Sequence, residues 1–440
     1  MKVETTNFEF GSAFAINSRE YLEKYLCIIW YEHQRYLNPI AITDELKVSQ
    51  GFLSFDGNTA RAKNYIGFIQ GDGNHIEIYP KVFKNHDISK FAILKHIFYW
   101  LDYCRKWKFP FSSVNLTNLE DIELPELIIN LIADQIYHVI SAFPLSLYED
   151  VEEGLLIPKG TIDFNRYITN SLSNGNFHML ECNYKPLLYD NTLNKVIKYV
   201  TRLLMSKAKY SETFNRLQKI IFVLDDVEDC FCTSDILQGV QLNSYFSEYN
   251  VVIDLCKMVL EGFVYNHAIS SQSHWSLLLP MEYVFEDFIA GFLETHFSKE
   301  WTVRYQKSDM YLTDQKVFQM QHDIFLISRE NPKLEIIIDT KYKLRGDYKI
   351  DPKRGISQSD LYQMTSYAFR RGCSNILLLY PNESDICLDY DRFTISNFGK
   401  SQKINVICSE VPFWSKLGNN ILELHLKERL TSLISLYQYE

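Results

Sequence analysis

Residues 321–343 read QHDIFLISRENPKLEIIIDTKYK, and the fold of the second half of the chain follows from how they alternate. The runs Asp323–Ile327 and Glu335–Asp339 are rich in isoleucine, leucine and phenylalanine. Between them, Ser328–Lys333 carries the turn-forming pair Asn331-Pro332, so the stretch predicts a β-hairpin. With the turn centred on Asn331, Asp323 and Asp339 each lie eight positions away and fall opposite one another. Cross-strand neighbours have Cβ atoms about 4.5–5.5 Å apart. Two carboxylates at ~5 Å repel by roughly 3 kcal/mol at an effective dielectric of about 20. Something positive has to offset that repulsion.

Side chains alternate along a strand, so Ile337, Asp339, Lys341 and Lys343 share one face and Ile336, Ile338, Thr340 and Tyr342 the other. Asp339 and Lys341 therefore point together. Two carboxylates can hold Mg²⁺ against a phosphate oxygen and a water, and a neighbouring lysine can orient that water and offset charge on phosphorus. That is the chemistry of metal-dependent phosphodiester cleavage. Taken alone, D-x-K is a short motif, equally compatible with solvated strand ends and with the edge-strand lysines that block aggregation. Its surroundings decide.

The chain has 440 residues, enough for two or three domains. With 46% hydrophobic and 23% charged residues it has an ordinary soluble composition. A net charge of −10 argues against coating nucleic acid through bulk electrostatics, so any DNA contact is local. From Lys333 to Arg371, nine Lys or Arg face five Asp or Glu, as a phosphate-facing surface or a solvated loop would have. The nine cysteines include one close pair, Cys230-x-Cys232, and show neither zinc spacing nor a disulfide framework. The first residues, MKVETTNFEF, have no apolar signal core, and no apolar run reaches about 18 residues. A cytoplasmic protein with no membrane partner is expected.

Three regions are expected. Residues 1–87 read as a mixed, strand-rich domain, with strands at Phe8–Ile16 and Gly51–Phe55, a helix at Arg19–His33 and a hairpin at Tyr65–Pro80 around Gly71-Asp72-Gly73-Asn74. Residues 88–270 read as mainly helical, at Ile88–Trp107, Glu123–Ala142, Asn191–Lys207, Ser211–Leu224 and Phe246–His267. A non-helical insert, GLLIPKGTIDFNRYI at 154–168, has Lys159-Gly160-Thr161 where a Walker A loop needs Gly-Lys-Thr, so the chain is expected to bind no nucleotide. Residues 274–440 open with the amphipathic helix Pro280–Phe297, whose stripe is Met281, Phe285, Phe288, Ile289 and Phe292, with Glu286 at its edge and Glu282 nearer its middle. Then come a strand at Trp301–Gln306, the hairpin, a helix at Ser359–Arg371 capped by Ser357 or Ser359 and stopped by Gly372, and a strand at Asn375–Tyr380. Gln363 and Tyr367, four apart, share a helix face and can hydrogen-bond a phosphate or a base edge. In isolation they would be ordinary helix surface.

This αβββαβ order, with Asp323, Asp339-x-Lys341 and Gln363-x-x-x-Tyr367 in sequence, resembles the PD-(D/E)xK nuclease superfamily. Within it, IPKGTIDFNRYI, LLYDNTLNKVIKYVTRLL, PMEYVFEDF, IIIDTKYK and DLYQMTSYA are similar to successive landmarks of McrC, the nuclease subunit of McrBC modification-dependent restriction systems. These span Ile157 to Ala368, and the Tyr65–Pro80 hairpin resembles the N-terminal region of longer members. The resemblance implies an α+β/α/β multidomain chain: a β-rich N-terminal region, a helical middle region as candidate partner-docking lobe, and a C-terminal PD-(D/E)xK nuclease fold. It further implies a Mg²⁺-dependent DNA endonuclease, with Mn²⁺ able to substitute. The implied partners are a McrB-like AAA+ GTPase hexamer and double-stranded DNA whose modified bases that partner reads. Asp323 and Asp339 carry over as metal ligands, Lys341 as the catalytic lysine, Gln363 and Tyr367 as the accessory helix pair, and Glu286 as a further ligand candidate. His322 stands where the family motif has proline, and relatives do not always have an acid at the position of Glu286. A self-contained nuclease of repair or transposition, or a non-catalytic scaffold, are the alternatives. Intact Asp323, Asp339 and Lys341 speak against the scaffold.

Overall fold

The computed structural model describes residues 3–37, 50–71, 73–105, 123–262, 275–345, 351–382, 389–396 and 403–438. Asp72, Trp107, His267 and His274 lie outside them, as do Asp347 and Lys349 of the charged residues counted between Lys333 and Arg371. Contacts group the chain into two compact units, Met1–Asp121 with Ile269–Glu440, and Ile122–Ala268. The second lies within the expected helical region 88–270, whereas the first joins the expected N-terminal and C-terminal regions and takes in residues 88–121, for reasons visible in the first and last segments.

The first segment contains β1 (Val3–Phe8), β2 (Phe14–Ala15), α1 (Arg19–Leu37), β3 (Leu53–Asp56), β4 (Thr59–Ala62), β5 (Tyr65–Gly71), β6 (Asn74–Tyr79) and α2 (Lys90–Tyr103). The strand expected over Phe8–Ile16 is broken. Phe10 has φ +52° and the Gly11 amide donates back to the Phe8 carbonyl, so the two halves enter different sheets, β1 beside β6 and β2 beside β4. The β5–β6 hairpin forms as expected, with Gly71 opposite Asn74. Helix α1 buries Leu22, Tyr25, Leu26 and Ile29, a stripe at helical spacing. Helix α2 starts where the Ser89 hydroxyl accepts from the Ala92 amide and buries Ile93, Leu94, Ile97, Phe98, Trp100 and Leu101.

The second unit contains α3 (Leu124–Ala142), β7 (Leu147–Tyr148), β8 (Val151–Leu155), β9 (Thr161–Ile162), α4 (Phe164–Arg166), β10 (Leu180–Tyr184), β11 (Leu187–Leu188), α5 (Thr192–Met205), α6 (Ser211–Val223) and α7 (Tyr249–Lys257). The helices expected at Glu123–Ala142, Asn191–Lys207 and Ser211–Leu224 form as α3, α5 and α6, while over Phe246–His267 the α-helix runs Tyr249–Lys257 and residues 263–267 lie outside those described. Asn191 caps α5 by accepting from the Asn194 amide, and α5 buries Leu193, Val196, Ile197, Val200 and Leu204. The insert is β-structured in its first half, where β8 and β9 flank β10. Its second half is helical rather than extended, because Asp163 accepts from the Arg166 amide and starts α4.

The last segment contains β12 (Trp275–Pro280), α8 (Met281–Phe297), β13 (Trp301–Tyr311), β14 (Gln319–Ser328), β15 (Glu335–Thr340), α9 (Gln358–Arg371), β16 (Asn375–Pro381), β17 (Tyr390–Ser396), β18 (Lys403–Val411) and α10 (Asn419–Ser435). Strand β12 completes the N-terminal sheet, order β1-β6-β5-β12. Gly67 of β5 lies opposite Leu278 at φ +128°, and a Cβ there would stand 2.0 Å from the Leu277 carbonyl oxygen, so this pairing needs glycine. Helix α2 packs on α8 just as closely, since a Cβ on Gly291 would lie 2.0 Å from the Tyr103 carbonyl oxygen. Trp100 stacks on Phe413 with centroids 3.8 Å apart and donates to its carbonyl at 2.7 Å, and the Arg105 amide donates to Asp287. The N-terminal segment thus shares one core with the C-terminal elements. The larger sheet runs β13-β14-β15-β16-β18-β17, antiparallel at the hairpin and parallel from β15 through β16 to β18. Helix α9 covers one face through Met364 and Ala368, over Phe325, Ile337, Ile376, Leu378 and Val406.

The described cysteines are all free, and no described helix is long and apolar enough to cross a membrane.

Candidate active site

The hairpin turn is held by its own side chains: the Asn331 amide donates to the Ser328 hydroxyl, the Lys333 amide to the Asn331 side chain and the Leu334 amide to the Asn331 carbonyl. That turn sets Ile324 opposite Ile338 and Phe325 opposite Ile337, the register read from the sequence, and its next step brings Asp323 to Asp339. The Thr340 amide and hydroxyl both donate to Oδ2 of Asp323, at 2.9 and 3.1 Å. Asp339 is 2% exposed. Lys341 Nζ lies 2.8 Å from Asp339 Oδ2, an ion pair in contact, yet that oxygen accepts no hydrogen bond of good geometry.

Burial and the Asp323 charge push Asp339 up to about 7, against the pull of Lys341. Burial also raises Asp323, although the Thr340 hydrogen bonds and Lys341 oppose it. For Lys341, burial works against the ammonium, but Asp339 and Asp323 outweigh it and raise its pKa. The lysine is thus a firmly protonated donor, while the two aspartates cannot both ionise cheaply without more positive charge.

On α9, Gln363 Nε2 donates to the Tyr367 hydroxyl at 3.3 Å. The Tyr367 ring stacks on His322 at 5.2 Å, and Arg371 Nε donates to His322 Nε2 at 3.3 Å. His322, with no role in the sequence reading, thereby ties the accessory pair to the strand of Asp323. Asp360 was also missed. It pairs with Lys343 at 2.9 Å, and its charge adds to the rise of Asp339. Its signal was a place one helical turn before Gln363. Ser357 precedes α9 without a side-chain cap bond. Of the basic residues counted as a phosphate-facing surface, Lys343, Arg345 and Arg370 are paired with Asp360, Asp391 and Asp314.

Glu286 is not gathered with the aspartates. Its Oε1 accepts from Gln306 Nε2 at 3.0 Å, and among the described residues no three His, Cys, Asp or Glu side chains form a ligand set. The apolar face of α8 fixes the helix rotation, and that leaves Glu286 beside β13. Glu282 acts on Glu9 and Lys81 instead.

The model of the family described as McrBC 5-methylcytosine restriction system component matches residues 60–381. The chain belongs to this family. Among solved structures, this McrBC family member is similar to a chain of the refined half-complex from a tetradecameric assembly of Thermococcus gammatolerans McrB AAA+ hexamers with bound McrC. That match has TM-score 0.67 and 15% identity, over 98% of this chain and 100% of the other. A second is a chain of the Thermococcus gammatolerans McrBC complex determined by cryo-EM, with TM-score 0.50 and 16% identity, over 66% of this chain and 87% of the other. At these identities the likeness shows the fold. No curated protein sequence matches the chain. The McrBC family match takes in the β5–β6 hairpin, the whole helical unit and every site residue from Glu286 to Tyr367.

Proposed function

We propose that this McrBC family member is the Mg²⁺-dependent DNA endonuclease subunit of a restriction complex, with a PD-(D/E)xK site, activated by an AAA+ GTPase partner that reads modified bases in double-stranded DNA. One observation carries the reading: a buried aspartate, Asp339, beside the half-buried Asp323, with a protonated lysine on it, in a chain of this family. Mg²⁺ commonly takes one or two protein carboxylates and fills its other positions with water and phosphate, so Asp323 and Asp339 suffice without Glu286. The Asp339 oxygen that lacks a well-aligned donor suits a hard cation. When bound, the ion polarises a phosphoryl oxygen and makes water a better nucleophile at neutral pH.

The protein's own groups do the rest. Thr340 fixes the orientation of Asp323. Lys341 holds its proton, so it serves as a cationic donor that orients water and offsets charge on the phosphate, not as a base. Gln363 and Tyr367 offer an amide and a hydroxyl to the DNA. A chain of net charge −10 has little hold on a polyanion, which favours a partner that brings the site to DNA. The similar Thermococcus chain comes from an assembly of McrB hexamers with bound McrC, and we assign the same kind of assembly here, with the helical unit as docking lobe. The test is cleavage of modified DNA with Mg²⁺ by wild type and Asp339→Ala, with and without the partner and GTP. Cutting only with the partner supports the reading, cutting alone favours a self-contained nuclease, and undiminished cutting by the variant removes the site.

A further inference from the structure

Strand β15 ends at Thr340, so Lys341 stands one residue beyond the ladder and needs other means to hold its place. Its amide donates to the Leu379 carbonyl at 2.8 Å and its carbonyl accepts from the Lys343 amide at 2.7 Å, bonds that fix the peptide but not the direction in which the chain leaves the sheet. The following residue supplies the rest. Tyr342 turns to the opposite face and is gripped at both ends: its hydroxyl donates to Glu9 Oε2 at 2.7 Å, and its carbonyl accepts from Lys81 Nζ at 2.8 Å. Lys81 also lies 4.1 Å from the centroid of the Tyr342 ring, and its amide donates to the same Glu9 oxygen at 3.1 Å. Phe285 and Phe413 pack on the ring at 6.2 and 6.1 Å.

Stability does not account for this cluster. Glu9 is fully buried, and its Oε1 has no hydrogen-bond partner. Burial pushes the Glu9 carboxyl up to about 7, and replacing buried charged groups by apolar side chains of similar volume is often neutral or stabilising. What polar groups supply and apolar ones do not is directional placement of one peptide unit. We propose that Glu9 and Lys81 are positioning residues for Lys341, acting through the hydroxyl and carbonyl of Tyr342, so that the N-terminal strands set where the ammonium stands beside Asp339. This rests on the nuclease reading of the site. A four-carbon side chain holds a fixed station only if its backbone does.

The experiment uses the full chain and the variants Tyr342→Phe, Glu9→Ala and Glu9→Gln, each checked by thermal melting. The first readout needs no activity: the acylation rate of Lys341 by acetic anhydride relative to Lys219 and Lys333 in the same molecule, read by peptide mass spectrometry. Release of Lys341 from Asp339 should raise its relative reactivity several-fold in Tyr342→Phe and Glu9→Ala. Glu9→Gln, which keeps an oxygen for the tyrosine, should restore protection. The second readout is single-turnover DNA cleavage in the partner complex, where the first two variants should lose roughly 10-fold or more in rate, with DNA half-saturation unchanged. Unaltered Lys341 reactivity in folded Tyr342→Phe overturns the proposal, as does Glu9→Gln as reactive as Glu9→Ala. If Asp339→Ala cleaves like wild type, the nuclease reading fails alone, because the acylation arm still decides the placement of Lys341.

Discussion

At the scale of the residue, Asp339 carries the sharpest consequence. Its carboxyl stands at about 7 in the folded chain, against an ordinary value of 3.8. Between those two values the folded state keeps a proton that the unfolded chain has released. The stability this gives is therefore complete below about pH 4 and is lost as pH rises through about 7. Metal-free wild type should melt at a lower temperature at pH 8 than at pH 5, and Asp339→Asn should show much less of that decline while cutting no DNA. Equal pH dependence in the two proteins would mean that the aspartate titrates elsewhere. Lys341→Ala should lower turnover far more than it changes Mg²⁺ or Mn²⁺ affinity, which calorimetric titration beside a single-turnover assay would read. Much of this was legible in the sequence, because a hairpin's turn chemistry and period-2 alternation fix which residues meet. The Asp323–Asp339 register came from Asn331-Pro332 and from counting. What Glu286 would touch was not legible. Its place at the edge of an apolar stripe is a fact of one helix, but its contact with Gln306 depends on how that helix meets a strand 20 positions on.

Among elements, α8 meets the backbone of α2 without room for a side chain at Gly291. Substitution by alanine should destabilise by about 1–3 kcal/mol, since the new methyl meets a carbonyl that cannot withdraw without shifting a helix. A lowered denaturant midpoint with an unchanged slope is the expected result. Strand β12 shows why some elements escaped the sequence. Its six residues, Trp275–Pro280, are all buried, so they present a short continuous apolar run with no alternation to reveal a strand. Strands β17 and β18 and helix α10 were not anticipated either, and the parallel pairing of β18 with β16, two strands apart in sequence, has no local signal. The break at Phe10 was hidden for another reason. A left-handed backbone at phenylalanine runs against propensity, and tertiary pairing imposes it.

For the whole molecule, the sequence suggested three consecutive regions, whereas contacts unite both ends of the chain around Trp100, Phe288 and Phe413. A fragment of residues 275–440 would expose the surfaces that α2 and β5 cover and should not melt cooperatively. Residues 122–268 hold their own core and should fold when expressed alone, as a thermal melt would show. If they are the docking lobe, that fragment should change the partner's rate of nucleotide hydrolysis with no nuclease present, and stimulation by the remainder alone would reverse the assignment. The split sheet also governs events at the ribosome. Strand β5 is made early, but its neighbour β12 follows about 200 residues behind it, a delay of roughly 10–40 s at 5–20 residues per second. Meanwhile the intervening helices can fold as they emerge, and the first apolar strands wait for shelter. A nascent chain therefore carries no assembled Asp323–Asp339–Lys341 cluster on a finished core, and a prematurely terminated one never acquires it.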